Sequence, residues 1–193
     1  GLKFWYTRFV PYPFFDPWPV RGRRGLVFER RTAGIIHYKA EEDCDMYEGM
    51  IAENMSMPGH NGDWIESYLA RPLGPGPFPG VVVFHHMPGW DEGSKEIVRR
   101  IASHNHVAIC PNLHHREGPG DMQEVVKKVW DAGGTPDDQF LGDLEGAIRY
   151  LESTPVHNGK IGVIGFCSGG RQAYIAACRN EKVDAAVDCY GGR

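Results

Sequence analysis

The chain has 193 residues, 41% hydrophobic and 24% charged, a composition that suits one soluble globular domain with a real core. A formal net charge of -4 gives no electrostatic footprint for nucleic acid or an anionic membrane, and no apolar run approaches a membrane span. Five cysteines (44, 110, 167, 178 and 189) form an odd set without regular spacing, which reads as free thiols in a reducing, cytoplasmic setting rather than a disulfide framework.

Residues 1–45 read as an irregular N-terminal extension outside the core. Phe4, Trp5, Tyr6, Phe9, Tyr12, Phe14, Phe15 and Trp18 are interleaved with Pro11, Pro13, Pro17 and Pro19, and an arginine cluster follows from Arg21 to Arg31. Prolines at that density forbid a regular helix or central strand. Aromatic and basic residues together can stack single-stranded nucleic acid, but the acidic overall balance favours an extension with no role of its own. The first methionine is Met46, and Met46 or Met50 reads as a natural start. The domain itself is expected over residues 46–193.

Residues 50–57 and 64–71 read as two strands joined through Asn61-Gly62, a strong hairpin signal. Gly80–Phe84 is β-branched and apolar on both faces, as a central parallel strand requires. A helix follows over 91–104 with Asp91 or Ser94 as cap, then a strand Val107–Cys110 ended by Pro111. A helix over 121–130 carries Val125, Val126, Val129 and Trp130. The next begins at Thr135-Pro136-Asp137-Asp138, with Thr135 as cap and proline at the first helical position, and buries Phe140, Leu141, Leu144, Ile148 and Leu151. A strand over 161–165, a helix over 169–179 and a strand Ala185–Tyr190 complete the alternation. The pattern predicts an α/β fold: a mostly parallel sheet with helices on both faces.

Gly165-Phe166-Cys167-Ser168-Gly169 has the form of a nucleophile elbow, in which small residues flank a nucleophile on a sharp strand-to-helix turn. The spacing selects Cys167, because an elbow centred on Ser168 would put Phe166 where a small residue is needed. A helix N-terminus favours the thiolate, and the Ser168 amide is placed to hold an oxyanion. Cys110, Cys178 and Cys189 sit in apolar elements and read as buried thiols. After the Val81–Phe84 strand comes His85-His86-Met87-Pro88-Gly89, at the strand end that supplies the second oxyanion donor in α/β-hydrolases; Pro88 has no N–H, so Met87 is the candidate. His104, His106, His114 and His115 lack helical ligand spacing and clear acidic or thiol partners, so no metal or other cofactor is expected.

Gly165-Phe166-Cys167-Ser168-Gly169-Gly170 resembles the elbow of the dienelactone hydrolase (carboxymethylenebutenolidase) family of α/β-hydrolases. Cys110-Pro111-Asn112-Leu113 with Arg116, Gly142–Tyr150, and Val183–Val187 with Tyr190-Gly191 are similar to further family segments, so the resemblance covers about residues 49–193. It implies Cys167 as nucleophile, the amides of Met87 and Ser168 as the oxyanion hole, and Arg116 as a candidate pocket residue. The family often has Glu at the position of His86, where it helps control protonation of the cysteine; His86 is read either as a proton acceptor beside the thiol or as pocket lining. The implied reaction is hydrolysis of a small-molecule ester, lactone or thioester through an acyl-enzyme. No histidine follows Cys167, so the triad acid and histidine are expected beyond Arg193, with the last strands and helices of the fold. The chain alone is then expected to be nearly inactive, with Ala185–Tyr190 left as an unpaired sheet edge. The competing readings are a non-catalytic binding protein of the same fold and a redox-sensing thiol at Cys167.

Overall fold

The computed structural model describes residues 3–6, 26–29, 37–40 and 49–192. They divide into two units. One contains the antiparallel pair β2 (Leu26–Glu29) and β3 (His37–Ala40), in register from Leu26 opposite Ala40 to Glu29 opposite His37. The other unit contains β1 (Lys3–Tyr6) and everything from Gly49 onward. Apart from these three short strands, the proline- and arginine-rich extension lies outside the described residues.

In the larger unit the predicted alternation is present. The strands are β4 (Met50–Pro58), β5 (Trp64–Pro72), β6 (Phe78–Phe84), β7 (Val107–Pro111), β8 (His157–Phe166) and β9 (Ala185–Cys189). The helices are α1 (Glu92–Ala102), α2 (Met122–Asp131), α3 (Asp137–Ser153) and α4 (Ser168–Arg179). With β1 the strands form a seven-stranded sheet in the order β1-β9-β8-β6-β7-β5-β4. Pairing is parallel from β1 through β7 and antiparallel for β7–β5 and β5–β4. At the turn between β4 and β5, Asn61 and Gly62 both adopt positive φ, 55° and 82°, as the Asn-Gly signal requires.

Strand alternation sorts the core into two layers. Leu69, Val82, Phe84, Ile109 and Val163 point to the face covered by Phe140, Leu144 and Ile148 of α3 and Ala173 and Ala176 of α4. Tyr68, Ala70, Val83, Ala108 and Cys110 point to the other face, where Val98 and Ala102 of α1 lie. β6 has β7 on one side and β8 on the other, so the strand order reverses at the carboxyl ends of β6 and β8. In open α/β sheets that switch point is where ligands bind.

Three expectations are corrected. Lys3–Tyr6 is not outside the core: it pairs in parallel with Ala185–Asp188, so the outer edge of β9 is not unpaired. The segment Lys-Phe-Trp-Tyr contains no proline and is rich in aromatic strand formers, and it meets the bare N–H and C=O groups of β9. Thr135 does not cap α3; Pro136, extended at ψ 142°, is the cap residue, and its carbonyl accepts from Gln139 and Phe140. Of the three thiols read as buried only Cys110 is: Cys178 is exposed and Cys189 is partly buried.

Candidate active site at the strand-to-helix elbow

β8 ends at Phe166 and α4 begins at Ser168, so Cys167 alone makes the turn, at φ 56° and ψ -118°. That backbone conformation is costly for a residue with a Cβ and persists only where the surroundings over-determine it. The surroundings are specific: a Cβ on Gly165 would overlap the Gly169 carbonyl, and one on Gly169 would lie 2.6 Å from the His85 carbonyl oxygen and closer still to that of Phe84. A Cβ on Gly170 would overlap the Asp188 carboxylate. The glycines thus let the start of α4 lie directly on β6 and β9, and the Cys167 side chain is left exposed. The Cys167 N–H donates to the Cys189 carbonyl at 3.0 Å, and its own carbonyl accepts from Gly170 at 2.9 Å and Arg171 at 3.3 Å. In a planar trans peptide the following N–H points opposite the carbonyl, so the Ser168 N–H is directed out of the helix start.

The loop after β6 is fixed from below. His85 is buried; its Nδ1 lies 2.8 Å from the His86 carbonyl oxygen, and the Leu113 N–H donates to its Nε2 at 3.1 Å. The carbonyl can only accept and Nε2 here accepts, so these partners assign the proton to Nδ1 and leave the ring neutral. Burial, with the His114 ring stacked edge-on at 4.7 Å, lowers the pKa of His85 to about 3. The His86 carbonyl also accepts from the Gly89 N–H at 2.9 Å. With that oxygen doubly held, the Met87 N–H points the opposite way, free of the turn. Trp90 pins the far end of the loop through Nε1–H to the Cys110 carbonyl at 3.0 Å, with Lys95 4.1 Å over its ring.

His86 is half-exposed, and its Nε2 lies 2.8 Å from Oδ2 of Asp91. Asp91 is also the cap of α1, accepting the Ser94 N–H on Oδ1 at 2.8 Å. Burial raises the Asp91 pKa, but the Ser94 N–H and the His86 ring outweigh it and hold the carboxyl below its usual range. Sequence reasoning found Asp91 only as a cap; a carboxylate five residues after His86 was the available signal for the pairing, and only the loop geometry closes it.

Cys167, Ser168, His86 and Met87 all lie at the carboxyl ends of β6 and β8, which are paired up to Phe84 opposite Gly165. Arg116 does not join them. Its guanidinium forks onto both oxygens of the fully buried Asp143 at 2.9 Å each, and it also donates to Asp63 at 2.8 Å and to the His60 carbonyl. Its charge is committed to tying three segments together. His115 lies 3.6 Å from Glu66, and His106 contacts the His104 carbonyl at 2.6 Å. Among the described residues no group of three His, Cys, Asp or Glu side chains is placed to hold a metal. No described helix is long and apolar enough to cross a membrane, and the four described cysteines are free thiols.

A cleft of about 490 Å³, lined by Val81, Ile97, Ile101, Ile164 and Val187, opens on the α1 side of the sheet and includes none of the elbow residues. Its lining also includes Arg100, His104, His106, Lys160 and Asp184, the last two paired at 2.8 Å, but no cysteine, serine or threonine nucleophile, so its size does not make it the site. A second cleft of about 390 Å³ is bounded by Pro88 of the β6 loop and by Met122, Val126 and Trp130 of α2.

Comparison with known proteins places this geometry. The profile of the Dienelactone hydrolase family matches residues 65–193. A carboxymethylenebutenolidase of Pseudomonas putida is 31% identical over 150 residues, covering 74% of this chain and 62% of the relative. A Methylorubrum extorquens protein provisionally given the same name is 33% identical over 148 residues, covering 74% of this chain and 50% of that protein. The chain therefore spans about 50–62% of the length of these curated relatives. A Klebsiella pneumoniae crystal structure, provisionally a dienelactone hydrolase, superposes with a TM-score of 0.67 at 31% identity over 75% of this chain and 61% of that one. Brefeldin A esterase, at 16% identity and a TM-score of 0.53 over 79% of this chain and 43% of that one, shares the fold alone. With the elbow, the switch-point placement and the matched residues in agreement, the chain belongs to the dienelactone hydrolase family, an α/β-hydrolase branch.

Proposed function

We propose that the protein hydrolyses a small-molecule ester, lactone or thioester through a cysteine nucleophile. Cys167 attacks the carbonyl carbon, the amides of Met87 and Ser168 receive the oxyanion, the alcohol or thiol departs, and water releases the acyl group. The observation that carries this reading is the strained φ of 56° at an exposed Cys167, held by glycines that let two strands and a helix converge beneath it. A cysteine with only a packing role would not need that backbone. The acid and histidine that complete deacylation are proposed to lie beyond Arg193, since no histidine follows Cys167.

The test is acylation of this chain by a chromogenic short-chain ester, read by intact mass and peptide mapping. One equivalent of acyl group on the Cys167 peptide, and none in Cys167→Ala, is expected. Label distributed over other residues, or release of chromophore indifferent to Cys167→Ala, would overturn the nucleophile assignment.

A further inference from the structure

A second bulky residue is forced into the left-handed region at the elbow end of the sheet. Tyr190, directly after β9, has φ 48°, and the carbonyl of Cys189 just before it accepts the Cys167 N–H at 3.0 Å. Asparagine tolerates that region, as Asn61 and Asn105 do here; a tyrosine enters it at a cost. The turn is held from two sides. The Gly191 N–H donates to Oδ1 of Asp188 at 2.7 Å, and a Cβ on Gly191 would lie 2.5 Å from the Arg171 amide nitrogen and from that same carboxylate oxygen. The exit of β9 is thereby fastened to the first turn of α4, the helix that starts at the elbow.

This turn leaves the Tyr190 side chain 62% exposed, and its ring has a partner. Phe166, the last residue of β8, lies opposite Cys189 in the β8–β9 register. The Phe166 and Tyr190 ring centroids are 6.3 Å apart at an interplanar angle of 58°, within the roughly 4.5–7 Å of an interacting aromatic pair. Phe166 immediately precedes Cys167, and Tyr190 immediately follows the carbonyl that holds Cys167. Both rings are therefore anchored one residue from the backbone hydrogen bond that fixes the exposed thiol. Phe166 is half-buried and Tyr190 exposed, so the pair keeps aromatic surface open to a ligand instead of closing it into the core.

We propose that Phe166 and Tyr190 form an aromatic platform that selects esters whose acyl group is a flat aryl ring. This rests on the cysteine-hydrolase reading and names a substrate class for that site. An aryl group gains offset or edge-on contact with two rings whose orientation is already set by a strand and a locked turn; a saturated ring of the same size gains burial without that contact. The neighbouring charges are engaged elsewhere, Arg171 with Asp137 at 3.1 Å and Asp188 with the Gly191 N–H, so the platform selects by shape and ring type. Tyr190 is a specificity-determining residue and takes no part in bond making.

Two matched alkylating reagents test the platform without requiring turnover. N-phenyl iodoacetamide and N-cyclohexyl iodoacetamide carry the same electrophile on a flat and a saturated ring. Their rates at the Cys167 peptide are read by mass spectrometry, each divided by its rate with free N-acetylcysteine. The native chain is expected to favour the phenyl reagent by about three- to tenfold. Tyr190→Phe should keep that ratio, and Tyr190→Leu should bring it to about one. Tyr190→Asn removes the ring while suiting the left-handed backbone, and should behave like Tyr190→Leu. Cys178, exposed near the other end of α4, is the internal control with a ratio of about one throughout. A native ratio of one at Cys167, or a ratio unchanged in both Tyr190→Leu and Tyr190→Asn, would overturn the proposal. The p-nitrophenyl esters of benzoate and cyclohexanecarboxylate then compare acylation of Cys167 in the same chains, with the same order expected. If the alkylation ratio depends on Tyr190 but neither ester acylates Cys167, the platform stands and the hydrolase reading falls; ester acylation with ratios indifferent to Tyr190 gives the reverse.

Discussion

Burial, reinforced by the His114 ring, lowers the His85 pKa to about 3, and burial alone takes that of His114 to about 4. Both rings are protonated near 6.5 once the chain unfolds. The sign follows from proton counting. Above pH 6.5 neither state binds these protons; between 6.5 and about 4 the unfolded chain binds them and the native one does not, so stability falls as pH falls. Each ring contributes at most about 1.4 kcal/mol per pH unit, giving a loss of about 2–4 kcal/mol between pH 7 and 5. Urea unfolding at pH 7, 6 and 5 checks this, and His114→Phe should remove about half of the slope. An unchanged slope in that variant would assign the acid sensitivity elsewhere. The functional meaning is local: a protonated His85 could not accept the Leu113 N–H, and the carbonyl that turns the Met87 amide outward would lose its fixed support.

The elbow works as an element because α4 starts in contact with two strands, and its glycines are the points of contact. Gly169→Ala places a methyl against the backbone carbonyls of Phe84 and His85, groups that cannot rotate away. The expected cost is about 1–3 kcal/mol, with loss of Cys167 acylation as α4 is pushed off β6. Gly120→Ala is the matched control, because a Cβ there meets only the Glu124 and Val125 side chains at 3.5 and 3.6 Å. Thermal unfolding of the two variants, with the acylation assay, separates a crowded elbow from a general intolerance of alanine. Equal stability of both variants would contradict the close-approach account.

Across the whole molecule, Arg116 and Asp143 join the β4–β5 turn, the loop after β7 and the middle of α3. Asp143 is fully buried, accepts the His60 N–H at 2.8 Å, and receives both arms of Arg116. Removing the cation would leave a buried carboxylate without its partner, a change that costs about 3–5 kcal/mol. Arg116→Ala is therefore expected to lower the denaturation midpoint strongly, whereas a residue serving only a substrate pocket would alter acylation and leave stability unchanged. Asp63→Ala removes only a half-exposed contact of Arg116 and is expected to cost at most about 1 kcal/mol.

The sequence by itself determined the order of elements from Met50 to Cys189 and the choice of Cys167 as the elbow residue. Both follow from local rules: hydrophobic period, turn chemistry and the need for small residues where backbones cross. The tertiary structure alone decided the partners of the polar side chains. Asp91 reads as a helix cap in sequence and becomes the partner of His86 only when the loop folds back on α1. Arg116 reads as a free cation near the site and is instead consumed by Asp143, 27 residues away. Lys3–Tyr6 reads as part of a proline-rich extension and pairs with β9, more than 180 positions later in the chain. The reason is physical: secondary structure is set by neighbours along the chain, whereas a hydrogen bond or ion pair is set by which surfaces the sheet brings within about 3 Å. The strand pairing of β6 with β8 is what brings the cysteine elbow and the loop holding His86 and Asp91 to the same end of the sheet.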